Sequence, residues 1–151
     1  YYALGRGVRV VSVPAQHFSG RGLCDRNATL WSGYVITGPG GPVYFAGDTG
    51  YGPHFQQIRQ VYGDIRLAIL PIGASNPRWF MARIHISPEE AVRVHGVLKA
   101  HTSLAVHFGT FQLSDDAQRG PPLKLRAAMA RAGVPSKRFW VLRFGEGRDV
   151  P

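Results

Sequence analysis

The chain is 151 residues long, with 44% hydrophobic residues, one cysteine and a formal net charge of +9 from 18 basic and 9 acidic side chains. That is the size of one ordinary domain with enough apolar content for a sizeable core, and it excludes an internal disulfide framework and any run long enough to span a membrane. The charge raises nucleic acid, anionic lipid and phosphate-bearing substrates as partners, but the arginines are scattered and no Lys/Arg run or nucleic-acid motif occurs, so solubilising surface charge is the plainer reading.

Residues 8–14 read as a buried strand that stops at Pro14 and delivers Gln16 and His17 to a loop. Residues 19–27 are rich in Gly, Arg and Asp without periodicity, which predicts a surface loop. Residues 30–37 and 43–47 read as two strands joined by the tight turn 38–42, an antiparallel hairpin. The second strand runs into Asp48, with Gly47 and Gly50 flanking Asp48-Thr49. A helix over 54–62 follows, with Phe55, Ile58 and Tyr62 at helical spacing and Gly63 at its end. Residues 67–72 are too apolar to be anything but a central strand. An aromatic loop, 73–81, leads to Ser87-Pro88-Glu89-Glu90, a helix start with a Ser cap and Pro in the first helical position. That helix runs to about Ala100, with Ala91, Val94, Val97 and Leu98 on one face. A short strand, 103–106, ends at His107, and a long loop spans 108–120. Pro121-Pro122 opens a third helix with Leu123, Leu125, Ala128 and Met129 as its apolar side and Gly133 as its C-terminal cap. Residues 139–144 read as the last strand. The order predicts an α/β fold, a mixed sheet with helices on one face.

His17, Asp48 and His107 each follow an apolar strand by a residue or a few. In open α/β sheets ligands bind at the carboxyl ends of strands, and two imidazoles with a carboxylate suit zinc or iron. Asp48 also has a plainer reading, as a cap for the helix that follows. His54, His95 and His101 lack strand-end placement and read as surface residues. Thr49 and Thr110 stand beside the candidate ligands and are expected to orient them. The lone Cys24 reads as an incidental thiol and fits a reducing, cytoplasmic compartment. The chain begins Tyr-Tyr-Ala-Leu, with no Met or signal peptide, and so reads as a piece of something longer.

Seven segments occur in order that together carry a resemblance. They are Val13-Pro14-Ala15-Gln16-His17-Phe18, Leu30-Trp31-Ser32-Gly33, Phe45-Ala46-Gly47-Asp48-Thr49-Gly50-Tyr51, Leu70-Pro71-Ile72-Gly73-Ala74, Pro77-Arg78-Trp79-Phe80-Met81, Pro88-Glu89-Glu90-Ala91-Val92-Arg93 and His107-Phe108-Gly109-Thr110-Phe111. The pattern closely resembles the C-terminal half of the metallo-β-lactamase-fold hydrolases, nearest the branch of N-acylphosphatidylethanolamine-hydrolysing phospholipase D and its bacterial relatives. The resemblance implies that residues 1–151 are one half of a four-layer αββα sandwich, with the metals between the halves. It implies that His17 is a terminal ligand of one metal, Asp48 bridges two, and His107 binds the second. It also implies that His85 faces the reacting phosphate, with Asp48 and His85 the catalytic pair. Relatives often carry Gln before that His, where this chain has Ile84. The family's His-x-His-x-Asp-His run, which supplies most ligands, has no match in these residues.

The implied activity is therefore metal-dependent hydrolysis of a phosphodiester, phospholipase D-like, with two zinc ions in the complete site and one or none held by this fragment alone, which is expected to be inactive in isolation. The expected partners are the missing N-terminal half or a second copy of the chain, together with a phospholipid or smaller phosphodiester or ester substrate. No nucleic acid is expected, and Arg78, Trp79, Phe80 and Met81 offer a loop for an acyl chain or a peripheral membrane contact. Two other classes stay open: a basic nucleic-acid-binding module, and a self-associating half-domain without chemistry.

Overall fold

The computed structural model describes residues 1–112 and 114–151; Leu113, inside the loop expected at 108–120, lies outside the described residues. Seven strands form one sheet in sequence order: β1 (Tyr2–Gly5), β2 (Val8–Val13), β3 (Gly33–Thr37), β4 (Val43–Phe45), β5 (Leu67–Pro71), β6 (Thr102–Val106) and β7 (Phe139–Trp140). β1 to β4 pair antiparallel, and β4 to β7 pair parallel. The mixed sheet and the hairpin are as predicted. β1 was not predicted, because all four of its residues are exposed and leave no burial pattern to read. The last strand is shorter than expected, two residues in place of 139–144.

Register explains why one face is covered. Side chains alternate along a strand and line up across a ladder. Val35, Tyr44, Ala68, Ser103 and Phe139 therefore form one row across five strands, and all are buried. Against this face pack α1 (His54–Tyr62), α3 (Pro88–Val97) and α4 (Gly120–Ala132), through Phe55, Ile58, Ala91, Val94, Leu98, Leu125 and Met129. A four-residue turn, α2 (Arg78–Met81), interrupts the loop expected at 73–81. α3 begins as its sequence dictates: Ser87 Oγ accepts from the Glu90 amide at 3.2 Å, and the Glu90 carboxylate accepts from the Ser87 amide at 2.8 Å. Gly133 ends α4 in the left-handed conformation, φ 66°.

The next row, Tyr34, Phe45, Ile69, Leu104 and Trp140, points the other way, with Ile36 and Val43 beside it. No helix covers that row in the described chain, and Tyr34, Ile36 and Phe45 are 42%, 38% and 40% exposed. Contiguous exposed apolar surface on a folded domain commonly marks a contact surface.

Three expectations are corrected. Leu123 is 61% exposed; it lies two positions from Pro121 and Leu125, so on a helix it points away from their buried stripe. His54 and His95, read as surface residues, are 5% and 8% exposed. His95 sits four residues after Ala91 on the buried side of α3, where its Nδ1 lies 2.8 Å from Ser103 Oγ. Burial holds both imidazoles down to about 4, so both are neutral at pH 7. No helix among the described residues is long and apolar enough to cross a membrane.

Candidate metal centre

Strand direction brings the candidate residues together. β2 and β4 are each antiparallel to β3, so they run the same way, and β5 and β6 run parallel to β4. The carboxyl ends of β2, β4, β5 and β6 thus share one edge of the sheet. His17 follows β2, Asp48 follows β4, Gly73 follows β5 and His107 follows β6. His85 joins them from the segment between α2 and the Ser87 cap.

One ligand atom each from His17, Asp48 and His85 lie within 4.8 Å of one another. The His17 and His85 rings meet edge to face, with centroids 5.2 Å apart. The His85 and His107 rings stack at 5.1 Å with an interplanar angle of 18°. His107 Nε2 is 3.5 Å from Asp48 Oδ1. The four residues expected at the site therefore meet at one rim. The division between them differs from the expectation: the mutually close trio includes His85, and His107 lies beside it against Asp48 and His85.

The donor chemistry fits a cation. His17 Nε2, His85 Nδ1 and His107 Nδ1 are buried and have no hydrogen-bond partner among the described residues. Such atoms ordinarily find partners. His17 Nδ1 is 2.9 Å from the Phe18 carbonyl oxygen, which only accepts, so Nδ1 is the donor there and Nε2 is the ring nitrogen left to face the site. Burial, helped by the neighbouring His107, His17 and Arg78 and opposed by Asp48, holds His85 down to about 4, so it too is neutral at pH 7. His107 takes a left-handed backbone, φ 59°, which is costly for a residue with a Cβ.

The surrounding loops are anchored. Asp116 accepts from the amides of Ser75 and Asn76 at 2.6 and 3.2 Å and pairs with Lys124 at 3.3 Å. Burial alone would raise its pKa, but these partners outweigh it and hold the carboxyl below the ordinary range. Beside His107 opens a cavity of about 760 Å³ lined in part by Phe108, Phe111, Gln118 and Phe144. Trp79 and Phe80 are exposed, whereas Met81 of the same turn is buried. Thr49 is fully buried beside Asp48, whereas Thr110 is exposed. Two residues gained no role from the sequence: Gln16, whose only signal is its place before His17, and His54, whose i to i+4 spacing with Ile58 marks the buried side of α1.

Residues 2–108 match a family model described as the beta-lactamase superfamily domain. Over 145 residues the chain is 39% identical to N-acyl-phosphatidylethanolamine-hydrolyzing phospholipase D 1 of Caenorhabditis elegans, covering 94% of this chain and 41% of that protein. It is 40% identical to the mitochondrial enzyme of the same name from Saccharomyces cerevisiae, over 77% of this chain and 25% of that one. Among solved structures, Igni18, a metallo hydrolase from Ignicoccus hospitalis, superposes with a TM-score of 0.67 at 26% identity, over 93% of this chain and 52% of its own. The chain thus spans less than half the length of these two curated relatives.

Proposed function

We propose, from the premise that this chain belongs to the beta-lactamase superfamily, that it forms part of a zinc-dependent phosphodiester hydrolase acting on phospholipid. The observation that carries this reading is the gathering of ligand atoms of His17, Asp48 and His85 within 4.8 Å of one another, where buried ring nitrogens of His17 and His85 have no partner among the described residues. His17, Asp48 and His107 hold metal in this reading, since neutral imidazole and carboxylate suit zinc. A bound zinc ion supplies Lewis acidity, polarising the scissile ester and making water acidic enough to attack near neutral pH.

The chain's own residues supply the rest. The Asp48 charge offsets the cation. His85, set between the His17 and His107 rings, keeps one N–H as a neutral imidazole and donates it to a phosphate oxygen or the leaving oxygen. The cavity beside His107 takes apolar substrate, and Trp79 and Phe80 rest on a membrane surface. The names of the nematode and yeast relatives support the phospholipid class. In the fold completed by its other half, His85→Ala is expected to lower turnover of an N-acylated phosphatidylethanolamine about 100-fold or more while zinc content holds. The distances also favour a second role, in which His85 is a ligand; zinc lost along with turnover selects it.

We further propose that residues 1–151 are one half of the complete fold. The uncovered face around Tyr34, Ile36 and Phe45 packs on the other half, and the ligands for a second ion come from there. Light scattering on the isolated chain is expected to give a dimer or larger species, and added partner half is expected to convert it to a one-to-one complex. A clean monomer of 16.6 kDa overturns this part of the reading.

A further inference from the structure

The segments that carry His17, Asp48 and His85 are tied to each other by hydrogen bonds that involve none of the three side chains. The Gln16 amide donates to Thr49 Oγ1 at 2.9 Å, and the Gly50 amide donates back to the Gln16 carbonyl at 2.8 Å. The Ile86 amide donates to the Thr49 carbonyl at 2.8 Å. The Gln16 side-chain amide, Nε2, donates to the Arg83 carbonyl at 2.9 Å. Each tie lands within two residues of a site side chain.

At the centre is the Thr49 hydroxyl, fully buried. Its proton goes to the Gly50 carbonyl at 2.9 Å. One lone pair takes the Gln16 amide, and the other faces His54 Nε2 at 3.2 Å. A hydroxyl has one proton and two lone pairs to satisfy, and here all three are used. Two glycines keep room for the arrangement. A Cβ on Gly50 would stand 2.4 Å from the Arg83 carbonyl oxygen and 2.8 Å from Gln16 Nε2. A Cβ on Gly52 would stand 2.8 Å from Gln16 Oε1 and 2.9 Å from His54 Nδ1.

We infer that Gln16 and Thr49, buttressed by His54, are positioning residues that latch the three loops at ligand spacing before any metal arrives. The ordering cost is then met during folding and does not weaken metal binding. The latch itself is a property of the metal-free chain; its consequence for affinity rests on the zinc reading above.

The test compares Thr49→Val, which keeps shape and removes the hydroxyl, with Thr49→Ser, which restores it. Hydrogen exchange at the Gln16, Gly50 and Ile86 amides is followed in metal-free protein, and zinc affinity is read by competition with a chromophoric chelator. Thr49→Val is expected to speed exchange at Gln16 at least about tenfold and to weaken zinc about 10- to 100-fold, with Thr49→Ser within about threefold of the parent on both. Gln16→Leu removes only the tie to Arg83, and it carries the test through Ile86 exchange and zinc affinity if Thr49→Val does not fold. Parent-like exchange and affinity in the variants overturn the latch. If the parent protein takes up no zinc but Thr49→Val still loosens the amides, the latch stands and the zinc reading falls.

Discussion

Asp48→Asn is expected to remove zinc from the chain and, in the fold completed by its other half, to lower phosphodiester turnover about a thousandfold or more. Asp48 is the one carboxylate of the cluster, 3.5 Å from His107 and within 4.8 Å of ligand atoms on His17 and His85. An imidazole binds a metal ion through an uncharged nitrogen, so the substitution deletes the one negative charge that offsets a divalent ion while keeping nearly the same shape. The Asp48 side chain is about half exposed and accepts no hydrogen bond from the described residues, so thermal stability should move by less than about 1 kcal/mol. Elemental analysis reads the metal, and the circular dichroism melt reads the fold. Zinc retained at the parent level sinks the assignment of Asp48 as a ligand.

Gly73→Ala should be the most damaging single methyl added to this protein. A Cβ there would lie 2.0 Å from the His107 carbonyl oxygen, 3.1 Å from its carbon and 3.4 Å from Phe108 Cα. All three are backbone atoms, so no side chain can rotate away. The two segments are also bonded just below, where the Ile72 amide donates to the Val106 carbonyl at 3.0 Å. The ends of β5 and β6 must part, or residue 107 must leave its left-handed conformation. A cost of about 3 kcal/mol or more is expected, together with displacement of His107 and weakened metal binding. Gly96→Ala is the control. It adds the same methyl near the end of α3, where nothing lies within 4 Å, and should stabilise by about 0.5–1 kcal/mol. Urea unfolding of the pair separates a specific clash from a general loss of glycine freedom.

Much of the architecture was legible before any coordinates. Leu67–Pro71 reads as a central strand because nothing in it tolerates water, and Ser87 to Glu90 announce a helix start by their hydrogen-bonding chemistry. The placement of His17, Asp48 and His107 was legible because each follows an apolar strand that runs in the same direction. β1 was not, since solvent reaches both its faces and no alternation survives. His95 was misread although its spacing from Ala91 marks the buried side of α3; a polar side chain hides there because Ser103 meets it. Which histidine completes the close trio with His17 and Asp48 is a question of tertiary distance, and spacing along the chain carries no information about it.

The shared direction of β4, β5, β6 and β7 has a practical corollary. The turns that precede these strands, 38–42, 63–66, 99–101 and 133–138, all lie at the end of the sheet remote from His17, His85 and His107. The sequence contains three lysines, and two of them, Lys99 and Lys137, occupy those turns and are exposed, while Lys124 is engaged by Asp116. Amine-reactive coupling through those side chains tethers the molecule by its far end and presents the histidine rim to the bulk, ready for a lipid film or a sensor surface.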